Sequence, residues 1–99
     1  MVEYHVRFER DEAKNRSNLT KHGISFEDAV DVFDDPLRLT KLDRIENGEV
    51  RWQTIGNIGN YQIVLVAHLI LDDEVETIRL ISARPVSRKE RREYETENG

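Results

Sequence analysis

The chain has 99 residues, a net charge of −5 with 35% charged and 37% hydrophobic residues, and no cysteine. A length of this order makes one domain spanning residues 1–99, able to bury roughly two-thirds of its unfolded surface. The lack of cysteine excludes a disulfide scaffold and thiolate metal sites, and no apolar run approaches the ~18–20 residues needed to cross a bilayer. The charge is unevenly spread. Six of the fifteen Lys and Arg residues fall between Arg79 and Arg92, where only Glu90 opposes them, so this window is +5 within an acidic chain. That end suits a polyanion, a charged partner or a solvated terminal helix, although overall acidity weighs against a general nucleic-acid binder.

The chain opens with alternation from Val2 to Phe8, the period of a half-buried strand, with His5 on the solvent side. Its charged start is neither a signal peptide nor a lipidation site, so a cytoplasmic protein with no membrane contact is expected. Asp11 stands where an N-cap belongs and Glu12 suits the first turn of a helix running to about His22, closed by Gly23. Ser25 and Asp28 have the spacing of a capping box, and Phe26, Ala29, Val30 and Phe33 fall on one face of a second helix. Asp34-Asp35-Pro36 ends it, because the residue before proline is pushed out of the helical region.

Strand patterns follow from Leu37 to Ile45, from Val50 to Ile58, from Tyr61 to Leu71 and from Val75 to Ala83. Asn47-Gly48, Gly59-Asn60 and Asp72-Asp73 are the intervening turns. The run from Tyr61 to Leu71 is nearly continuous in apolar residues and reads as a central strand buried on both faces. Pro85 and Ser87 introduce a last helix carrying Arg88 to Tyr94. The order is β-α-α-β-β-β-β-α, an α+β fold in which an antiparallel sheet carries two helices on one side and a short C-terminal helix.

Histidine is the side chain poised to move protons near neutral pH. His22, beside Lys21, suits either a helix C-terminus, where the macrodipole favours a cation, or proton transfer. His68 lies among Val66, Ala67, Leu69 and Ile70 and reads as a hydrogen-bonded core histidine unless its face of the sheet is open. The three histidines lack metal-ligand spacing, so no metal and no cofactor are expected. Asn15, Asn18, Leu19 and His22 form one helical stripe. Two amides there either pin the helix to the sheet through backbone hydrogen bonds or touch a substrate.

Four segments together resemble the BrnT family: FERDEAKNRSNLTKHGISFEDA (Phe8 to Ala29), VFDDP (Val32 to Pro36), EVRWQTIG (Glu49 to Gly56) and IRLISARPVSRKERREY (Ile78 to Tyr94). The resemblance spans nearly the whole chain in order and spacing. It implies a RelE-like fold and the toxin half of a bacterial type II toxin–antitoxin module, a ribonuclease that arrests translation. The implied partners are an RNA substrate and a BrnA-type ribbon-helix-helix antitoxin, with DNA reached only through the antitoxin. Lys21, His22, Arg51, Arg79, Arg84, Glu90, Arg91 and Tyr94 match the motifs by position. Arg10 stands where relatives commonly carry Trp, and Gly59 to Glu76 departs from the family pattern.

Under that resemblance, RNA is expected to be cut without metal by its own 2′-OH. Guanidinium groups then meet the charge growing on the phosphate. Arg84 and Arg79 are the expected phosphate holders and His22 or Lys21 the proton-transfer group, with Arg51, Arg88, Arg91 and Tyr94 on the RNA. The alternative is an inactive scaffold that only holds an antitoxin or repressor.

Overall fold

A computed structural model describes residues 6–72 and 76–98. Val2 to His5, the turn at Asp73 and the expected strand start at Val75 lie outside the described residues. The elements are β1 (Arg7–Glu9), α1 (Glu12–His22), α2 (Phe26–Ala29) running into a 3-10 turn (Val30–Asp34), β2 (Leu39–Glu46), β3 (Glu49–Asn57), β4 (Ile63–Asp72), β5 (Glu76–Pro85) and α3 (Arg88–Asn98). The observed order is the expected β-α-α-β-β-β-β-α.

The helix ends follow their local chemistry. Asp11 accepts a hydrogen bond from the Lys14 N–H at the start of α1, and Gly23 closes it at φ 72° with its N–H on the Leu19 carbonyl. Ser25 Oγ accepts from the Asp28 N–H and starts α2. After one turn the second helix tightens to 3-10 geometry, and Asp35 ends it with extended backbone before Pro36. Asn47 and Gly48 both take positive φ, 52° and 78°, which makes the β2–β3 hairpin a two-residue turn of the kind whose twist matches the strands.

The sheet has the order β1-β5-β4-β3-β2. Its four long strands are antiparallel, and β1 joins the outer edge of β5 in parallel, from Arg7 opposite Thr77 to Glu9 opposite Arg79, so the sheet is mixed. On one face Ile24, Phe26, Ala29 and Val32 bury themselves against Val64, Val66, Leu80 and Ala83. A Cβ at Gly56 would lie 2.9 Å from the Val32 carbonyl oxygen, so only glycine lets this turn sit on β3. On the opposite face a smaller apolar cluster of Ile55, Ile63, Leu65 and Tyr94, with Val86 beside it, seats α3.

α1 is docked by amides, with little apolar burial. Asn18 is buried and its Nδ2 donates to the carbonyls of Ile24 (2.8 Å) and Ala83 (2.7 Å), while its Oδ1 accepts from the Ala83 N–H at 3.0 Å. One side chain thus takes the place of a neighbouring strand on β5 beyond the end of β1. Asn15 Oδ1 accepts from the Phe26 N–H at 2.8 Å. Both amides pin the helix, as the first of the two sequence readings required.

Candidate nucleic-acid interface

The sheet face seated against α3 collects the basic residues. In the β4–β5 register Leu65 faces Arg84 and Leu69 faces Arg79, while Ala67 faces Ser82 and His68 faces Leu80. Ile81 is therefore an extra residue on β5. Arg79 and Arg84 are five positions apart and would point to opposite faces of a regular strand; the bulge puts both on the face of Leu65 and Leu69. On β3, Gln53 and Ile55 pair with Ala67 and Leu65, so alternation places Arg51 on this same face. Lys41 pairs with Gln53 and adds a fourth cation from β2.

Each of these cations meets a carboxylate. Arg84 Nη1 and Nη2 both reach Glu90 at 2.7 Å, and Nη1 also donates to the Pro85 carbonyl at 3.2 Å. This end-on grip leaves the Nε–H and an outer Nη2–H, which form a second fork on the guanidinium edge. Glu90 also closes a capping box with Ser87. Its Oε1 accepts from the Ser87 N–H at 2.8 Å, and Ser87 Oγ accepts from the Glu90 N–H at 3.2 Å. The Arg84 hydrogen bond outweighs burial and brings the Glu90 carboxyl down to about 2, and Glu90 in turn raises Arg84.

Arg79 Nε and Nη2 donate to Glu9 Oε2 at 3.0 and 2.9 Å across the β1–β5 edge. Arg51 Nε lies 3.4 Å from Glu46, and Lys41 Nζ donates to Glu93 on α3 at 2.6 Å. Arg91 pairs loosely with Glu95 at 3.7 Å. Arg88, Lys89 and Arg92 are exposed and carry no ion pair among the described residues. Lys89 and Arg92 line a cleft of about 590 Å³ between α3 and β2, together with Leu39 and Lys41.

The proton-transfer candidates sit at the rim. Lys21 and His22 line a depression of about 210 Å³ beside Ser82 and Ile81. Ser82 lies two residues, about 7 Å, from Arg84 on the same face. Arg79 and Arg84 stand about 13 Å apart along the strand, so they do not close on a single phosphate.

Tyr94, expected to reach a base or sugar, has a buried ring, and its hydroxyl donates to Asp35 Oδ2 at 2.5 Å. Burial and the Asp35 carboxylate raise the phenol to about 12. Burial would raise Asp35, but the bonds from Tyr94 and from the Asn57 and Leu37 N–H groups, with the Arg38 charge, outweigh it and hold the carboxyl below its usual value. Tyr94 is thus the tether between α3 and the loop after the 3-10 turn.

Sequence reasoning missed the partners of the arginines. Glu9, Glu46 and Glu90 are ordinary surface carboxylates until the sheet register is known, and only the Ser87-to-Glu90 spacing carried a local signal. Among the described residues no group of three or more His, Asp or Glu side chains could hold a metal ion, and no helix is long and apolar enough to cross a membrane.

Comparison with curated proteins gives no significant match. Among solved structures, the chain is similar to the Brucella abortus ribonuclease toxin BrnT, with a TM-score of 0.63 and 25% identity over 85% of this chain and 100% of that one. The sequence profile of the ribonuclease toxin BrnT, of type II toxin–antitoxin systems, matches residues 11–90. Profile and shared fold agree, and the chain belongs to the BrnT family of ribonuclease toxins.

Proposed function

We propose that the protein is an endoribonuclease toxin that cleaves RNA without a metal, on the sheet face bearing Arg51, Arg79 and Arg84. The observation that carries this reading is the β5 bulge, which aligns Arg79 and Arg84 on one side of the strand beside α3. The RNA 2′-OH attacks the adjacent phosphate. The free Nε–Nη2 edge of Arg84 takes the charge growing on the phosphoryl oxygens. His22 or Lys21, across Ser82, moves the proton between the nucleophile and the leaving 5′-oxygen. At about 13 Å from Arg84, Arg79 grips a different phosphate of the strand, and Arg51, Arg88 and Arg91 extend the track. Tyr94 holds α3 in position and does not itself touch the nucleotide.

The partner in this reading is a BrnA-type antitoxin in the bacterial cytoplasm, which masks the arginine face. DNA contact comes only through that antitoxin. Arg84→Ala is expected to slow cleavage of a model RNA, in the presence of chelator, by on the order of 10²–10³. An unchanged rate removes Arg84 from the site.

One observation favours a second reading. Glu9, Glu46 and Glu90 already engage the three arginines, as they would in a surface that only holds an acidic partner. Inertness of the pure protein toward RNA, combined with tight antitoxin binding, supports that binding module.

A further inference from the structure

The opposite, helix-bearing face of the sheet holds a cleft of about 490 Å³ that the cleavage reading leaves unused. Its walls are Phe8, Phe33, Ile70 and Ile78, and Asp34, Arg38 and Glu76 stand among its lining residues. That volume lies within the range of small-molecule sites. Phe8, Ile70 and Val6 are 40%, 37% and 41% exposed, so apolar surface faces solvent around the cleft. The Phe8 and Phe33 rings lie 5.4 Å apart, and Phe33 meets the His68 imidazole edge-on at 5.0 Å.

Polar atoms are fixed at its base. His68 is 1% exposed and Thr54 fully buried, and Thr54 Oγ1 lies 2.8 Å from His68 Nε2 and 2.9 Å from Thr40 Oγ1. This chain orients the imidazole and uses its Nε2. Nδ1 is buried and has no hydrogen-bond partner among the described residues. A buried polar atom left in this state costs on the order of 1–3 kcal/mol, so it marks a place where a ligand atom would gain. Burial also lowers the imidazole pKa, against a weaker opposing pull from the Leu69 main chain that falls short of hydrogen-bond geometry. Burial thus favours the neutral ring, which can donate on one side and accept on the other.

These features select a chemical class. Asp34 and Glu76 outnumber Arg38 among the charged lining residues, which disfavours a multiply charged anion. A purely aliphatic ligand would leave Nδ1 unmet. A flat, uncharged heteroaromatic ring with hydrogen-bonding edges satisfies walls and base together. We propose that this cleft binds a single nucleobase, its edge hydrogen-bonded to His68 Nδ1 and its plane packed against Phe33 and Phe8. The base arrives either from an RNA strand or as a free nucleoside. Binding involves no bond making, so the site stands or falls independently of the cleavage reading.

The test follows the His68 imidazole resonances by NMR in the whole protein. Adenosine, guanosine, cytidine and uridine are titrated separately, and then a 2′-O-methyl oligonucleotide that cannot be cleaved. Saturable shifts are expected with at least one probe, and His68→Phe and Thr54→Val, with affinity read from the probe's own resonances, should each weaken binding by roughly tenfold or more. Thermal melts confirm that the variants fold. Shifts with both kinds of probe identify a site open to free nucleosides. Shifts with the oligonucleotide alone identify a base presented by RNA. No His68 shift with any probe overturns the proposal, and so does unchanged affinity in both folded variants.

Discussion

The two faces of the sheet are held by different physics. Beneath α1 and α2, Phe26, Ile24 and Val32 are fully or almost fully buried, and Asn18 meets the backbone with three hydrogen bonds. Beneath α3, a small apolar cluster is supplemented by Arg84–Glu90, Lys41–Glu93 and Tyr94–Asp35. Apolar contacts and buried amides tolerate salt and mild acid, whereas ion pairs answer to both. One side of the protein is therefore a fixed frame, and the other is a surface whose charges can exchange partners.

That contrast can be broken first where it is firmest. Asn18→Ala would leave the Ile24 carbonyl and the Ala83 N–H and carbonyl unpaired, and is expected to cost about 3–5 kcal/mol in denaturant unfolding. A loss under about 1 kcal/mol would show that water replaces the amide and that this face is softer than its packing implies. Gly56→Ala forces the Val32 backbone away from β3 and should cost about 1–3 kcal/mol by the same measurement.

The α3 side should respond to acid. Glu90 has a folded-state pKa of about 2 against an ordinary 4.5, so its contribution is full above about 4.5 and is lost as pH falls toward 2. The contribution is about 1–2 kcal/mol once solvent screening of the partly exposed Arg84 is allowed for. Stability of Glu90→Gln measured over this window should lack the corresponding slope. Smallest of all, Lys41→Ala should cost less than about 1 kcal/mol, and the cost should shrink with added salt, because both partners are partly exposed. A cost that ignores salt would place Lys41 with the frame.

Much of the fold is written locally. Asp11, Gly23 and Ser25 cap the helices where their side chains and backbone freedom dictate, and Asn47-Gly48 makes the expected hairpin. The parallel docking of β1 was not legible, since it depends on β5, about seventy residues later, and not on the pattern of β1. β5 runs to Pro85, two residues past its expected end, because Arg84 and Pro85 pair with Leu65 and Val64. The spacing of Phe26, Ala29, Val30 and Phe33 predicts one continuous second helix; Phe26 and Ala29 are buried as it demands, yet the latter half winds more tightly and buries Val32, with Val30 and Phe33 only partly covered.

The candidate site was legible in residue type and not in arrangement. A run of arginines shows in composition, but its facing depends on Ile81, an aliphatic residue with nothing unusual about it in the sequence. The apolar neighbours of His68 in the sequence mark it as a hydrogen-bonded core residue. Thr54 supplies that bond through a strand register no single segment encodes.

The unmatched residue on β5 makes the whole basic surface a matter of phase. Were Ile81 paired in strict two-residue alternation, with no bulge, β5 would slip by one residue against β4 and Arg84 and Ala83 would trade sides. The guanidinium would be driven into the apolar layer beneath α2, and a methyl group would take its place beside α3. The bulge, and not the aliphatic side chain it carries, thus keeps Arg84 on the basic face. Excising Ile81 would remove the irregularity together with its cause, leaving Arg79, Ser82 and Arg84 on one side of a regular strand.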